Sequence, residues 1–411
     1  MIAKRKVILA SPSAMHMLQK KRLISRILFI FKFKVISLKN FKNSDCKKIR
    51  LESIPFDDLE AICDYVENVT QNQNPNSDRI VCNSQNLDLK NKNIINEIFR
   101  KYLSLCYEFK IDRILLFHGY LPEDFVLRSI AKLESIPSLC IERTMRSDRL
   151  TWDCLKHTTI GSRQFDEFLK EYNIRIESNL INEFALNYVN NISTYKLGDH
   201  ESPENNIELQ KGKLRVLFLG QVYTDASIIF GTKYKLDPID LMCKISEWCT
   251  TRDFISIIKF HPKEFEGKNP INAEKYNSIS SRKFNDRKKN YLINKSNLVV
   301  DDSNSFNTYD LINESDIVIT INSQSGIEAA LFGKNVFSIH DAFFADKGFC
   351  HVYKNFDDLC LQLDNLVNDG IRPIIDQERK VREFFYLYYQ IFCLKNDPLS
   401  ILKKLFTDEI A

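Results

Sequence analysis

The chain has 411 residues, 44% of them hydrophobic and 27% charged, which is too long for one ordinary core, suits two α/β domains of roughly 150 to 200 residues each, and excludes wholesale disorder. Lys and Arg number 58 against 54 Asp and Glu, so the net charge of +4 gives no sign of a nucleic-acid partner. The eleven cysteines form no CxxC pair and no Cys/His cluster at zinc-ligand spacing, which points to free thiols in a reducing compartment and away from a structural metal.

At the N-terminus Lys4, Arg5 and Lys6 precede an apolar run of only Val7 to Ala10. That run is too short for a signal-peptide core, so a cytoplasmic location is expected. Ile24 to Leu38 is interrupted by Arg26, Lys32 and Lys34, and no stretch approaches the roughly 18 uncharged apolar residues of a membrane span. The first unit predicts a strand at Lys6 to Ala10, a Ser-Pro turn, a helix, and a strand near Phe33 to Leu38. A polar stretch from Gln71 to Asn93 predicts a loop or insertion, and Ile94 to Phe109 has helical spacing. DRILLFHGYLPEDF then predicts a buried strand, a loop carrying His118 and a helix from Pro122, followed by a strand at Ser138 to Ile141.

One helix is expected from Phe165 to Asn190, so that residues 1–192 make a first domain. Segment 193–212, poor in apolar residues, reads as a linker. A second domain over 213–375 opens with the strand RVLFLG and a helix from Pro238 to Thr250. The strands FISIIKFHP and NLVVDD follow, then a helix from Ser305 to Ser315. DIVITI and NVFSI are strands on either side of a helix opened by NSQSGIEAALFG. Residues 376–411 predict a helical, aromatic-rich tail that packs back across the domains. Strands alternating with helices predict parallel sheets, whose ligands sit beyond the carboxyl ends of the strands.

Four places along this pattern carry groups able to do chemistry. In DIVITINSQSGIEAALFG a strand delivers a small polar turn straight into a helix. Ser323, Ser325 and Gly326 would then present hydroxyls and backbone N–H groups at a positive helix end. Gly326 would allow close approach, and Glu328 could reach a ribose; the alternative is a Ser325 to Glu328 capping box with no ligand. In IIKFHPKE, Lys259 and His261 share one face at the end of a strand and could reach a phosphate or carboxylate, although a lone His also serves structure. In LGQVYTDAS, Gln221 and Asp225 follow the domain's first strand. Asp225 could act as nucleophile or stabilise an oxocarbenium-like transition state, or could simply cap the next helix. Glu142, at the end of a first-domain strand, is a candidate general acid or base, and His118, at the end of another, a candidate substrate contact, with Arg143, Arg146 and Arg149 nearby for an anionic acceptor. Lys20, Lys21, Arg22 and Arg26 beside Ile27 to Phe31 could lean on anionic lipid or merely flank the core.

Taken in order, GQVYTDAS, IKFHPKE and FNTYDLINESDIVITINSQSGIEAALFGKNVFSI resemble the capsule polysaccharide biosynthesis family, which includes the β-Kdo transferases of capsule assembly. The resemblance implies a GT-B architecture: an α/β fold of two Rossmann-like, doubly wound domains facing a cleft. It also implies a nucleotide sugar bound mainly by the second domain, CMP-Kdo as donor, transfer with retention to a glycolipid or growing glycan, and neither metal nor cofactor. Gln221 and Asp225 match its Gln-x-x-x-Asp element, Lys259, His261 and Pro262 its His-Pro element, and Asn322, Ser323, Ser325, Gly326 and Glu328 its nucleotide-site helix. Glu142 is followed here by Arg143, Thr144 and Met145, where related enzymes have Gly and an aromatic or apolar residue. Peripheral contact with the inner face of the inner membrane, and with other polysaccharide-assembly proteins, fits the same expectation. Two other readings stay open at this level: a GT-B transferase using another nucleotide sugar such as a UDP-hexose, and a non-catalytic glycan-binding or assembly protein.

Overall fold

Short runs such as RILLF, RVLFL and IVIT are apolar on both faces, as strands sandwiched between helices must be. They form the centres of two separate sheets. The computed structural model describes residues 6–11, 14, 33–36, 99, 101–118, 122–154, 163–172, 176–192, 212–223, 225–229, 236–264, 273–274 and 277–407. The proposed lipid-leaning segment, apart from the backbone of Phe33 and Lys34, lies outside them, as do the polar stretch 71–93 and nearly all of the expected linker. Described residues up to Tyr172 and from Phe392 onward make one unit, and those from 176 to Ile391 the other.

In the first unit, β1 (Lys6–Ala10), β2 (Phe33–Ile36), β3 (Arg113–Phe117) and β4 (Ser138–Arg143) run parallel in the order β2-β1-β3-β4. Two antiparallel strands extend this sheet: β5 (Arg149–Asp153) on β4, and Leu394–Lys395 on β5. β5 was not expected. It forms from the stretch read as an arginine-bearing loop, because Thr144 Oγ1 donates to the Arg146 and Arg149 carbonyls and closes the turn.

The second unit contains β6 (Arg215–Leu219), β7 (Ile255–Lys259), the small antiparallel pair β8 (Ala273–Glu274) and β9 (Asn277–Ser278), β10 (Leu298–Asp301), β11 (Ile317–Thr320), β12 (Asn335–Ile339) and β13 (His351–Tyr353). Its main sheet is all parallel, in the order β10-β7-β6-β11-β12-β13. The chain builds outward from β6 in one direction and then returns to build outward from β11 in the other. The gap between the carboxyl ends of β6 and β11 is therefore the topological switch point, where open α/β sheets bind their ligands. Helix Pro238–Thr251 is started by Asp237, whose carboxylate accepts from the N–H of Ile239 and Asp240 ahead of a Pro at the first position.

The α/β class and the pair of doubly wound sheets are as expected, but three boundaries differ. The single helix expected from Phe165 to Asn190 is two, Arg163–Glu171 and Ser178–Asn190, the second opening from an extended Glu177. That second helix belongs with the second unit rather than with a first domain ending at 192, because its fully buried Tyr188 is a core residue there. The tail is divided between the units. Helix Gln377–Phe385 and the π-helical turn Tyr386–Phe392 carry aromatic side chains that pack on Phe343, Phe349 and Phe184. Helix Pro398–Leu405 belongs to the first unit.

The buried ends of these sheets meet their neighbours closely. Gly220, directly after β6, allows only a hydrogen atom there: a Cβ would come within 2.8 Å of the Lys259 carbonyl oxygen. The eight cysteines among the described residues are all free thiols.

Candidate functional site

The loop after β6 and the loop after β11 are tied together across the switch point by side-chain amides. Gln221 Nε2 donates to Asn322 Oδ1 at 2.7 Å, and the Asn322 N–H returns a bond to Gln221 Oε1 at 3.2 Å. Asn322 Nδ2 donates to the Ser227 carbonyl at 2.8 Å, and Ser227 Oγ lies 3.3 Å from Gln221 Nε2. Both amide residues are buried. Amides suit this task because each presents a donor and an acceptor in one plane and can answer two backbone or side-chain partners at once.

Asp225 ends this chain of bonds. Its Oδ1 accepts from the Ser227 N–H at 2.8 Å and from Ser227 Oγ at 2.7 Å, capping the one-turn helix Ala226–Ile229. Capping was one of the two roles open for this residue, and the structure makes it. It does not use up the carboxylate, since both bonds fall on one oxygen of a half-buried side chain. The cap fixes where a negative charge stands, which a nucleophile or electrostatic stabiliser requires.

The His-Pro element lies at the end of β7, adjacent to β6. His261 is half-buried and begins the turn Pro262–Glu264, its carbonyl accepting from the Glu264 N–H at 3.0 Å. Glu264 was not singled out from the sequence, yet it is fully buried and joins two motifs. It accepts from the Tyr223 N–H at 2.7 Å, inside the GQVYTDAS loop, and from the N–H and hydroxyl of Ser280. Ser227 was also missed. The signal for both was polarity in positions that the pattern made internal, and nothing local says that Glu264 answers Tyr223 across 41 residues or that Ser227 answers Asn322 across 95.

Three of the expected substrate contacts have partners within the protein. The Lys259 ammonium donates to Asp301 Oδ2 at 2.6 Å, Asn304 Oδ1 at 3.1 Å and the Phe306 carbonyl at 2.8 Å, which occupies all three of its protons. Both members of this ion pair are almost wholly buried, and burial holds the lysine below its usual pKa despite the countering pull of Asp301. Its work is to pin the loop after β10 to β7.

Glu328 is likewise interior. One of its oxygens accepts the phenol of Tyr188 at 2.7 Å and that of Tyr309 at 3.0 Å. Burial, with the Glu328 charge adding to it, raises the pKa of both phenols far above the usual tyrosine range. The Ser325 to Glu328 capping box is not made either, because the carboxylate is drawn into this cluster.

Gly326 packs closely against side chains of its own unit. A Cβ there would stand 3.0 Å from Thr320 Cγ2 and 3.2 Å from the Phe344 ring. The expectation of open N–H groups at the start of helix Ser325–Leu331 is also revised: Ser323 Oγ accepts from the Ser325 N–H at 3.3 Å, and the Ser323 carbonyl from the Gly326 N–H at 3.0 Å. Ser323 and Ser325 remain half-buried at this end of the sheet.

In the first unit the structure brings together the two residues named there. His118 follows β3, Glu142 lies on the neighbouring β4, and His118 Nδ1 stands 2.9 Å from Glu142 Oε1. The arginines expected to hold an anionic acceptor are otherwise engaged. Arg146 clasps Asp148 with two bonds of 3.0 Å, Arg149 also pairs with Asp148, and the Arg143 guanidinium lies 5.9 Å from the centre of the Phe117 ring.

The fold and the second unit's switch point define a protein of the doubly wound α/β class, with polar groups gathered at the carboxyl edge of its second sheet. The sequence profile of the family described as capsule polysaccharide biosynthesis protein matches residues 130–354, more than half of the chain, and the chain belongs to that family. No curated protein sequence matches it. Solved structures similar to it include the Thermosulfurimonas dismutans KpsC β-Kdo 2,4 transferase, at 15% identity over 72% of this chain and 88% of that one, with a TM-score of 0.47. The β-Kdo 2,7 transferase of the same organism's KpsC is 18% identical over 78% and 95%, with a TM-score of 0.42. A UDP-GlcNAc 2-epimerase from Neisseria meningitidis is 13% identical over 93% and 99%, with a TM-score of 0.38.

Proposed function

We propose that the protein is a glycosyltransferase of capsule or related surface-glycan assembly that moves Kdo from CMP-Kdo to a glycolipid or growing polysaccharide, with retention. The observation that carries this reading is the bonded set Gln221, Asn322, Ser227 and Asp225, which joins the loops after β6 and β11 at the switch point and leaves a carboxylate fixed there. Membership of the capsule polysaccharide family supports it.

In this reading the nucleotide sugar lies against the loops of Gln221, His261 and Ser323. As the bond between the anomeric carbon and the cytidylate phosphate breaks, positive charge develops on the sugar. Asp225 stabilises that charge or attacks the anomeric carbon, while His261 and the hydroxyls of Ser323 and Ser325 favour the departing phosphate. Gln221 and Asn322 act by holding the loops, since their amides are turned on each other. Acceptors of this kind would bring the protein to the cytoplasmic face of the inner membrane. Among the described residues no helix is long and apolar enough to cross a membrane.

Thermal unfolding in the presence of CMP, UDP and GDP tests the donor, because a ligand that binds the native state alone raises apparent stability with its concentration. Selective stabilisation by CMP, followed by release of CMP from CMP-Kdo when acceptor is added, is the expected result. Selective stabilisation by UDP or GDP would replace the donor, and no response to any nucleotide would favour a non-catalytic glycan-binding role.

A further inference from the structure

We infer that the groove at the amino edge of the second unit's sheet, where β13 opens and helix Phe356–Asn368 ends, is a binding site for an acidic oligosaccharide, separate from the donor site proposed at the carboxyl edge. The groove has a volume of about 780 Å³, within the range of small-ligand sites. Its lining comes wholly from the second unit: His351 at the start of β13, the last turns of the helix, and residues 372–375. β13 is the last strand in the sheet order. The strands of this sheet all start on one side and end on the other, so the groove stands a strand length away from the loops of Gln221 and Ser323.

The local sequence shapes it. The Gly370 N–H donates to the Val367 carbonyl at 3.1 Å and the Ile371 N–H to the Leu366 carbonyl at 2.8 Å, the paired bonds of a Schellman cap that stops the helix. Gly370 has φ +77° and Ile371 φ +56°. Left-handed backbone is ordinary for Gly and an outlier for a β-branched residue. The chain therefore holds a strained turn just where it brings Arg372 to the groove, and strain of this kind collects at ligand clamps. Gln362 Nε2 donates to the Val352 carbonyl at 2.7 Å and ties the helix to β13 beside the groove.

The lining selects the ligand. Asn365 and Asn368 lie one turn apart on the helix, and each offers a donor and an acceptor side by side, which neighbouring sugar hydroxyls answer. Arg372 presents a planar fork of N–H groups that matches a carboxylate. Asp369 can only accept when ionised, so it calls for hydroxyls that donate and opposes a bare phosphate. Ile375, 82% exposed, gives an apolar surface for the C–H face of a sugar ring. Among the described residues, the side chains of Asn365, Asn368, Asp369 and Arg372 make no hydrogen bond or ion pair within the protein, although Asp369 and Arg372 border the same groove. A ligand both hydroxylated and acidic answers all four. The site does not depend on the donor reading, since a glycan held here is bound and not transformed.

The test is calorimetric titration of the full chain with tetragalacturonate and with a synthetic Kdo tetrasaccharide, against maltotetraose as the uncharged control and inorganic phosphate as the bare anion. Both acidic tetrasaccharides should bind more tightly than either control. Arg372→Gln should weaken them by about 10- to 100-fold, as the loss of hydrogen bonds to a charged group does, and Asn365→Ala combined with Asn368→Ala by about tenfold. These positions are exposed, so the variants should keep the parent's melting temperature and its response to CMP. Absence of binding by the parent protein, equal binding of maltotetraose or phosphate, or acid binding by Arg372→Gln within about twofold of the parent overturns the assignment. If CMP stabilises the protein and Arg372→Gln binds as the parent does, this site falls alone. If no nucleotide stabilises it and Arg372→Gln loses the acidic glycan, the donor reading falls and the groove stands.

Discussion

The carboxyl edges of the two sheets are built on different terms. In the second unit the edge is welded from within: amides of Gln221 and Asn322 face each other, Glu264 holds the Tyr223 backbone, and Lys259 pins the loop after β10, all by buried bonds. In the first unit, among the described residues, half-exposed His118, in a left-handed conformation, pairs at the edge with buried Glu142. Buried bonds like those of the second unit fix polar groups in place in advance, as the donor site proposed for that edge requires.

If that contrast is real, the largest cost comes from the most deeply welded bond. Lys259→Met should lower unfolding free energy by about 3–5 kcal/mol in denaturant titration, since it leaves Asp301 buried and uncompensated. Asp225→Asn should leave the melting temperature near that of the parent, because an amide oxygen still accepts from Ser227, yet reduce transfer about 10²- to 10³-fold. Equal losses in both would reduce Asp225 to a cap. Glu328→Ala strands the Tyr188 and Tyr309 phenols in the interior and should cost about 2–4 kcal/mol, whereas Glu328→Gln keeps the acceptor and should cost less than about 1 kcal/mol. In the first unit Glu142→Gln should cost under about 1 kcal/mol, as partly exposed pairs do. A larger loss would mean that this edge is welded too.

The smallest effect is one of pH. His351 stacks on Phe337 with ring centres 4.5 Å apart, its Nε2 is buried without a partner, and burial lowers its pKa from 6.5. The unfolded chain therefore takes up a proton near pH 6.5 that the native chain resists. Stability from this group is full above that pH and is lost as pH falls from there toward the lowered native value. His351→Phe, which keeps the stack, should flatten the decline in melting temperature between pH 7 and 5 that this histidine adds, read by calorimetry at matched ionic strength.

Much of the fold was legible because its signals are local. β1 at Lys6–Ala10 and the helix at Pro238 follow from apolar runs, a Pro at the first helical position and an Asp before it. β5 was missed because RLTWD carries Arg and Asp at its ends, and only pairing with β4 makes it a strand. The helix broken before Ser178 kept a helical rhythm on both sides, so periodicity ran across the break. Gln221, Asp225 and His261 were singled out by their place after strands and Asn322 by the family resemblance, and Gln221, Asp225 and Asn322 lie in one bonded set. The bond of Lys259 to Asp301 was not legible, because a cation at a strand end looks the same whether it awaits a phosphate or answers a carboxylate 42 residues away.

Residue order and hydrophobic rhythm by themselves determined the α/β class, the two sheets and the loops that would bear chemistry, since strand and helix periodicity and turn chemistry act over a few residues. Tertiary structure alone decided which polar groups spend their bonds internally. It turned Lys259, Glu328 and Gly326 into supports, made Asp225 a cap whose charge is fixed in place, and set His118 against Glu142. A hydrogen bond or an ion pair is satisfied by whatever the fold brings within about 3 Å, and for these residues the partner comes from distant sequence.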